Sequence, residues 1–130
     1  MTLPTSRQER LLINLSRREM RNKKIFHVRL DKTGPTYKVT VDFIKYALNN
    51  KLAVRLTRAG APWSPFATLT VNLQSPLQDE THAFVDTNNC PWAEEFLLDN
   101  GIATKVEGCE ERSGYCTYPL YEFNKESQWE

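Results

Sequence analysis

Three cysteines, two histidines and one Asx-rich turn are the residues of this 130-residue chain whose types could do chemistry. Cys90 follows Asp86-Thr87-Asn88-Asn89 and precedes Pro91, at the expected start of a short helix. A thiol near a helix N-terminus has its thiolate favoured by the dipole, so Cys90 with a histidine and an orienting Asp86 or Asn89 would make a nucleophile. Cys116 is the second thiol such chemistry could use. Cys90, Cys109 and Cys116 with His27 or His82 would also supply a Cys3His set for zinc. Structural zinc sites, however, use close ligand pairs such as Cys-x2–4-Cys, and these cysteines are too far apart for that. They read instead as buried thiols that behave as small hydrophobes. The Asx run lacks the Asp-x-Asn-x-Asn-Gly spacing and distant Glu of a calcium loop. Its short side chains suit bonding to nearby backbone N–H groups, which is turn and cap chemistry. No catalytic residue, metal or cofactor is therefore expected.

Charge is the stronger lead. The net charge is only +1, yet the first 75 residues are strongly basic and the remainder strongly acidic. Such asymmetry signals an interaction surface unless the halves neutralise each other in the fold. The basic half opens with a capping box, Ser6 to Glu9, and an amphipathic helix predicted to run to Met20 or Arg21. Arg7, Arg10, Arg17, Arg18 and Arg21 share its polar face and could neutralise phosphates. That stripe lacks interleaved aromatics, glycine-rich loops and a helix-turn-helix pattern. The acidic half could instead occupy a basic groove on another protein.

The elements that must position these residues follow from periodicity. Phe26, Val28 and Leu30, then Tyr37, Val39 and Val41, alternate with polar residues across a turn-forming stretch, predicting a hairpin over 25–42. Asp42 is expected to cap a short helix with Phe43, Tyr46 and Ala47 on one face. Leu52, Val54 and Leu56 pair with Ala67, Leu69, Val71 and Leu73 in a second hairpin. His82–Val85 is a strand, Pro91 opens a helix with Phe96 and Leu97 buried, and Asn100-Gly101 ends it. Ile102–Val106 and Tyr115–Phe123 complete the sheet, with Pro119 making the last strand an edge or a bulge. The expected fold is a single small α+β domain with a mainly antiparallel sheet of five to six strands. Residues 1–24 form a basic helical extension, 25–124 the domain and 125–130 a frayed tail.

No apolar run approaches the ~20 residues needed to span a bilayer. The first residues have no apolar h-region, so a cytoplasmic protein with reduced thiols and no membrane partner is expected.

Three segments carry a resemblance: Ala67-Thr68-Leu69-Thr70-Val71-Asn72-Leu73, Ala83-Phe84-Val85-Asp86-Thr87-Asn88-Asn89, and Ser113-Gly114-Tyr115-Cys116-Thr117-Tyr118-Pro119-Leu120-Tyr121. Across about residues 25–124 the chain resembles a domain-of-unknown-function family (4313-type) of small proteins on phages, plasmids and conjugative elements. The resemblance implies a mobile-element accessory protein, of the kind that binds and inhibits host defence machinery, as anti-CRISPR proteins do. It transfers no functional residue. The expected function is a non-enzymatic interaction protein binding a host or defence-system protein or nucleoprotein. Its contact residues are expected among Arg7, Arg10, Arg17, Arg18, Arg21, Asp86, Asn88, Asn89, Arg112, Tyr115 and Tyr118. The alternatives are a nucleic-acid binder using the arginine stripe and a cysteine-dependent enzyme. No feature fixes an oligomeric state.

Overall fold

Period-two patterning shapes most of this chain. In a computed structural model that describes residues 21–76 and 79–130, the first hairpin forms as its alternation requires. β1 (Phe26–Arg29) buries Phe26 and Val28 and exposes His27 and Arg29. It pairs antiparallel with β2 (Thr36–Lys45), Phe26 opposite Val39 and Arg29 opposite Thr36. The connection is an Asx turn, in which the Asp31 carboxylate accepts the Thr33 N–H at 3.0 Å. The predicted helical extension, with Arg7, Arg10, Arg17 and Arg18, lies outside the described residues; Arg21 lies within them.

Asp42 does not start a helix. β2 runs on to Lys45, paired residue by residue with β3 (Leu52–Arg58) from Val39–Arg58 to Lys45–Leu52. Cross-strand pairing outweighs the local capping preference because Phe43 continues the inward alternation of Val39 and Val41 and stacks edge-on with Phe123. The Asp42 carboxylate accepts the Thr57 hydroxyl at 2.6 Å instead of a helix N–H. The chain reverses through a tight turn in which the Asn50 N–H reaches the Tyr46 carbonyl. Asn50 itself adopts a left-handed φ of 58°, a conformation that asparagine tolerates.

The second hairpin pairs β3 with β4 (Pro65–Thr68), then changes partner at Leu69. The Leu69 N–H still bonds the Val54 carbonyl, but its own carbonyl accepts from Asp86 N–H. β5 (Thr70–Val71) therefore pairs with β6 (His82–Val85). One expected sheet of five or six strands is thus replaced by two four-stranded antiparallel sheets and a small hairpin. The first sheet has the order β1-β2-β3-β4 and comes from residues 26–68. The second has the order β5-β6-β10-β7, with β7 at Ala103–Lys105 and β10 at Leu120–Phe123. β8 (Glu111–Ser113) and β9 (Cys116–Tyr118) pair only with each other. The coarser expectation, a small mainly antiparallel domain with a helix in its C-terminal half, agrees with the structure.

Pro119 acts differently from expectation. It separates β9 from β10, and β10 is an interior strand between β6 and β7. The missing N–H does no harm because the proline precedes the strand, and its carbonyl accepts from Val85 N–H at 2.9 Å. The helix α1 (Ala93–Asp99) buries Ala93, Phe96 and Leu97 and has Glu94 and Glu95 in its first turn. Gly101, at φ 65°, provides the left-handed stop that the sequence promised. Pro91 sits in the turn before the helix rather than in it.

Both sheets close on one core, in which Val39, Val41, Val54, Leu56, Leu69, Val85, Leu97, Ile102 and Tyr121 are fully buried. The tail does not fray. Asn124 caps a 3-10 helix (Lys125–Gln128) by accepting Glu126 N–H, and Trp129 bridges back to Lys23. Lys24 N–H to the Gln128 carbonyl and Glu130 N–H to the Asn22 carbonyl bind the tail to the chain leading into β1.

Candidate functional site

The charge asymmetry of the sequence becomes an asymmetry between the sheets. Residues 21–69, which build the first sheet, hold ten lysines and arginines against two aspartates. Residues 70–76 and 79–130, which build the second sheet, α1 and the tail, hold twelve carboxylates against three cations. Among the described residues, the only ion pair joining the two is Arg21–Glu126 at 3.1 Å, an exposed contact. Lys23 and Arg55 pair with Asp42 inside the first sheet, and Lys105 and His82 pair with Glu94 and Asp79 inside the second region. The halves are joined by neutral contacts instead. Val54 N–H donates to the Thr70 hydroxyl, which also meets the Tyr46 hydroxyl at 2.9 Å. Cys90 Sγ donates to the Thr68 carbonyl, and Phe26 meets Phe96 edge-on with centroids 6.1 Å apart. The opposed charges are thus left at the surface rather than consumed in the fold.

Basic side chains gather on the outward face of the first sheet. His27 and Lys38 are direct cross-strand neighbours there, with Arg29 two residues along β1, and all three are exposed. Lys23 spans the base of this face, donating to the Val41 carbonyl and to Gln128 Oε1, both at 2.6 Å.

A groove of about 460 Å³ lies between β1 and α1. His27, Arg29 and Lys32 stand on its strand wall, and Glu95 and Asp99 on its helix wall. Trp92 and Phe96 also line it. They belong to an aromatic row Tyr37–Phe66–Trp92–Phe96–Phe26, with successive centroids 5.3 to 6.3 Å apart. The Arg58 guanidinium sits over Tyr37 and Phe66 at one end of the row, and the Lys24 ammonium over Phe26 at the other. The sequence carried no sign of this groove beyond Trp92 beside a helix start, because a strand and a helix more than sixty residues apart form it.

The residues expected from sequence are dispersed. Asp86 accepts Asn89 N–H at 3.2 Å and the Asn89 side-chain amide at 2.9 Å, while its carbonyl accepts Cys90 N–H. That is turn chemistry, as the residue types implied, and Asn88 is left exposed. Arg112 Nε donates to the Gly114 carbonyl within its own hairpin. Tyr115 is fully exposed at the hairpin tip, whereas Tyr118 packs on the smaller cluster of Leu73, Phe84 and Leu120. The Tyr118 phenol is pushed above its ordinary range, first by its hydrogen bond with Cys116, then by burial and by the Cys116 and Asp86 charges. Arg21 is engaged by Glu126 and stacks over Trp129, 5.0 Å from the ring centroid.

The three thiols are free. Cys90 is buried, and burial followed by the Asp86 charge pushes its thiol upward, the reverse of an activated nucleophile. Its helix is short, with no side-chain cap. His82 Nδ1 is held by Asp79 at 2.7 Å, and His27 lies exposed on β1. Among the described residues, no three His, Cys, Asp or Glu side chains converge as a metal site would need. Among the same residues, no helix is long and apolar enough to cross a membrane.

Residues 40–130 match the family model described as Domain of unknown function (DUF4313). No curated protein and no solved structure matches the chain. The family match covers well over half of the chain, and the protein belongs to that family. The match begins within β2, later than the start of the 25–124 span of the resemblance, and it runs through the ordered tail.

Proposed function

We propose that this family member is a non-enzymatic interaction protein that binds a charged macromolecular target through its segregated surface charge. The observation that supports this reading is the separation of a basic sheet from an acidic one with, among the described residues, a single exposed ion pair between them. Unneutralised fields of this kind steer encounter with a complementary surface and reject like-charged ones. The proposed target is a host or defence-system protein or nucleoprotein. The proposed setting is the cytoplasm of a cell carrying a mobile genetic element, with the protein as a counter-defence inhibitor of the anti-CRISPR kind. That setting rests on the family resemblance, which suggests phage, plasmid or conjugative-element carriage.

Matched pull-downs at moderate salt test the reading, with the native chain and a Lys24→Glu/Lys38→Glu/Lys45→Glu variant as baits. A discrete partner retained by the native chain and lost by the variant supports it. No discrete partner, or equal retention by both, overturns it. Nucleic-acid binding is the second reading, favoured by His27, Arg29 and Lys38 clustering on one face. Replacing Arg7, Arg10, Arg17, Arg18 and Arg21 by Glu should then abolish a mobility shift, and an unchanged shift would remove the arginine stripe from that reading.

A further inference from the structure

β1 is an edge strand. Among the described residues it pairs with β2 on one side only, and its other edge faces the groove in front of α1. In an antiparallel pair, alternate residues turn both N–H and C=O away from the partner strand. The outward groups of Phe26–Arg29 make no backbone hydrogen bond to any other described segment. The opposite edge of the same sheet begins at Pro65, which has no N–H to offer and so resists strand addition. β1 has no proline and no bulge. The groove volume falls within the roughly 300–1,000 Å³ of clefts that hold ligands.

We infer that β1 accepts an extended segment of a partner protein as an added strand, with acidic residues at alternate positions and apolar residues between them. The pattern follows from the two faces of β1. On the outward face the added strand would lie beside His27 and Arg29, where opposite charges directly across are favourable and like charges are not. On the other face it would lie over Trp92 and Phe96, an aromatic surface that rewards apolar side chains. Glu95 and Asp99 on the helix wall repel carboxylates from that second face, which fixes the register of the alternation. Main-chain hydrogen bonds supply affinity and alternate side chains supply selection, as in other strand additions. This deepens the interaction-protein reading and rests on it, naming the chemistry of the partner segment.

The probe is a fluorescent six-residue peptide, Glu-Val-Glu-Leu-Glu-Val, flanked by Gly-Ser, titrated with the full chain by anisotropy. A matching peptide with Lys at each Glu position is the control. The native chain should prefer the acidic peptide, and His27→Glu/Arg29→Glu should weaken it about tenfold and favour the lysine peptide. Both positions are exposed, and an unchanged circular dichroism spectrum confirms that the variant folds. On peptide addition to the 15N-labelled native chain, backbone amides of β1 should shift and gain exchange protection. Equal binding of the two peptides, shifts mapping away from β1, or β1 protection that instead follows protein concentration alone would each overturn the proposal. The last outcome would mean that a second copy fills the edge. Failure here alongside a charge-dependent partner in the pull-down would overturn only the β1 assignment and leave the broader reading standing.

Discussion

The two sheets share a core and differ in nearly everything at the surface. The first is basic, its strands are longer, and one edge opens onto a groove. The second is acidic, built from strands of two to four residues, and its interior strand β10 is held on both sides. The interface between them is hydrophobic and hydrogen-bonded rather than ionic. The difference shows how one small domain can keep strong opposite fields: cohesion comes from apolar burial, which ignores charge sign, so surface charge stays free to select partners.

Leu69 is where that division should be easiest to break. It is fully buried at the point where the chain leaves β4 for β5, so its truncation touches both sheets at once. Leu69→Ala should cost about 3 kcal/mol or more from lost burial and the cavity left behind. Urea unfolding followed separately by Trp fluorescence and far-ultraviolet circular dichroism should shift as a single coincident transition. Two separated transitions would show that the sheets are independent units.

Asp42 sharpens the comparison from within the basic sheet, being one of the two described carboxylates in that region. It accepts the hydroxyl of buried Thr57 and faces Lys23 at 3.1 Å and Arg55 at 3.8 Å. Asp42→Ala should destabilise by about 2 kcal/mol, because it strands a buried hydroxyl and leaves two cations facing each other. Added salt should recover part of that loss by screening the cations. A variant with unchanged chemical stability would show that the network is incidental.

A smaller effect belongs to the acidic region. Asp79 accepts from the Thr81 hydroxyl and N–H and from His82, and these contacts, Thr81 foremost, hold its carboxyl down to about 2 against an ordinary 3.8. A depressed folded value means stability that is present above pH 3.8 and lost as pH falls through about 2. Asp79→Asn should therefore flatten the stability profile between those values, by lowering stability above pH 3.8 while leaving the limit below about 2 little changed. Acid titrations of the unfolding midpoint for both chains would check this, and superimposable acid limbs would refute it.

The sequence revealed what depends on near neighbours. Alternation placed β1 and its hairpin with β2 and the pairing of β3 with β4, and the strand at His82–Val85 and the buried Phe96 and Leu97 of α1 were also legible. The Asx chemistry at Asp86 followed from residue type alone. Asp42 and Pro119 were misread because each has a strong local preference that distant pairing overrode. The tail was expected to fray, yet its backbone found partners in the residues before β1. The groove between β1 and α1 was illegible because Val28 and Phe96 come together only after the chain has built both sheets.

The sequence by itself determined the charge polarity, since the order of lysines, arginines and carboxylates along the chain needs no fold to be read. It also determined that the thiols lack ligand spacing. Tertiary structure alone decided that the polarity survives folding. The chain changes sheets at Leu69, close to where its charge changes sign, and that coincidence sorts the basic and acidic segments onto different sheets. Had the strands interleaved instead, the same residues would have neutralised one another across every pair.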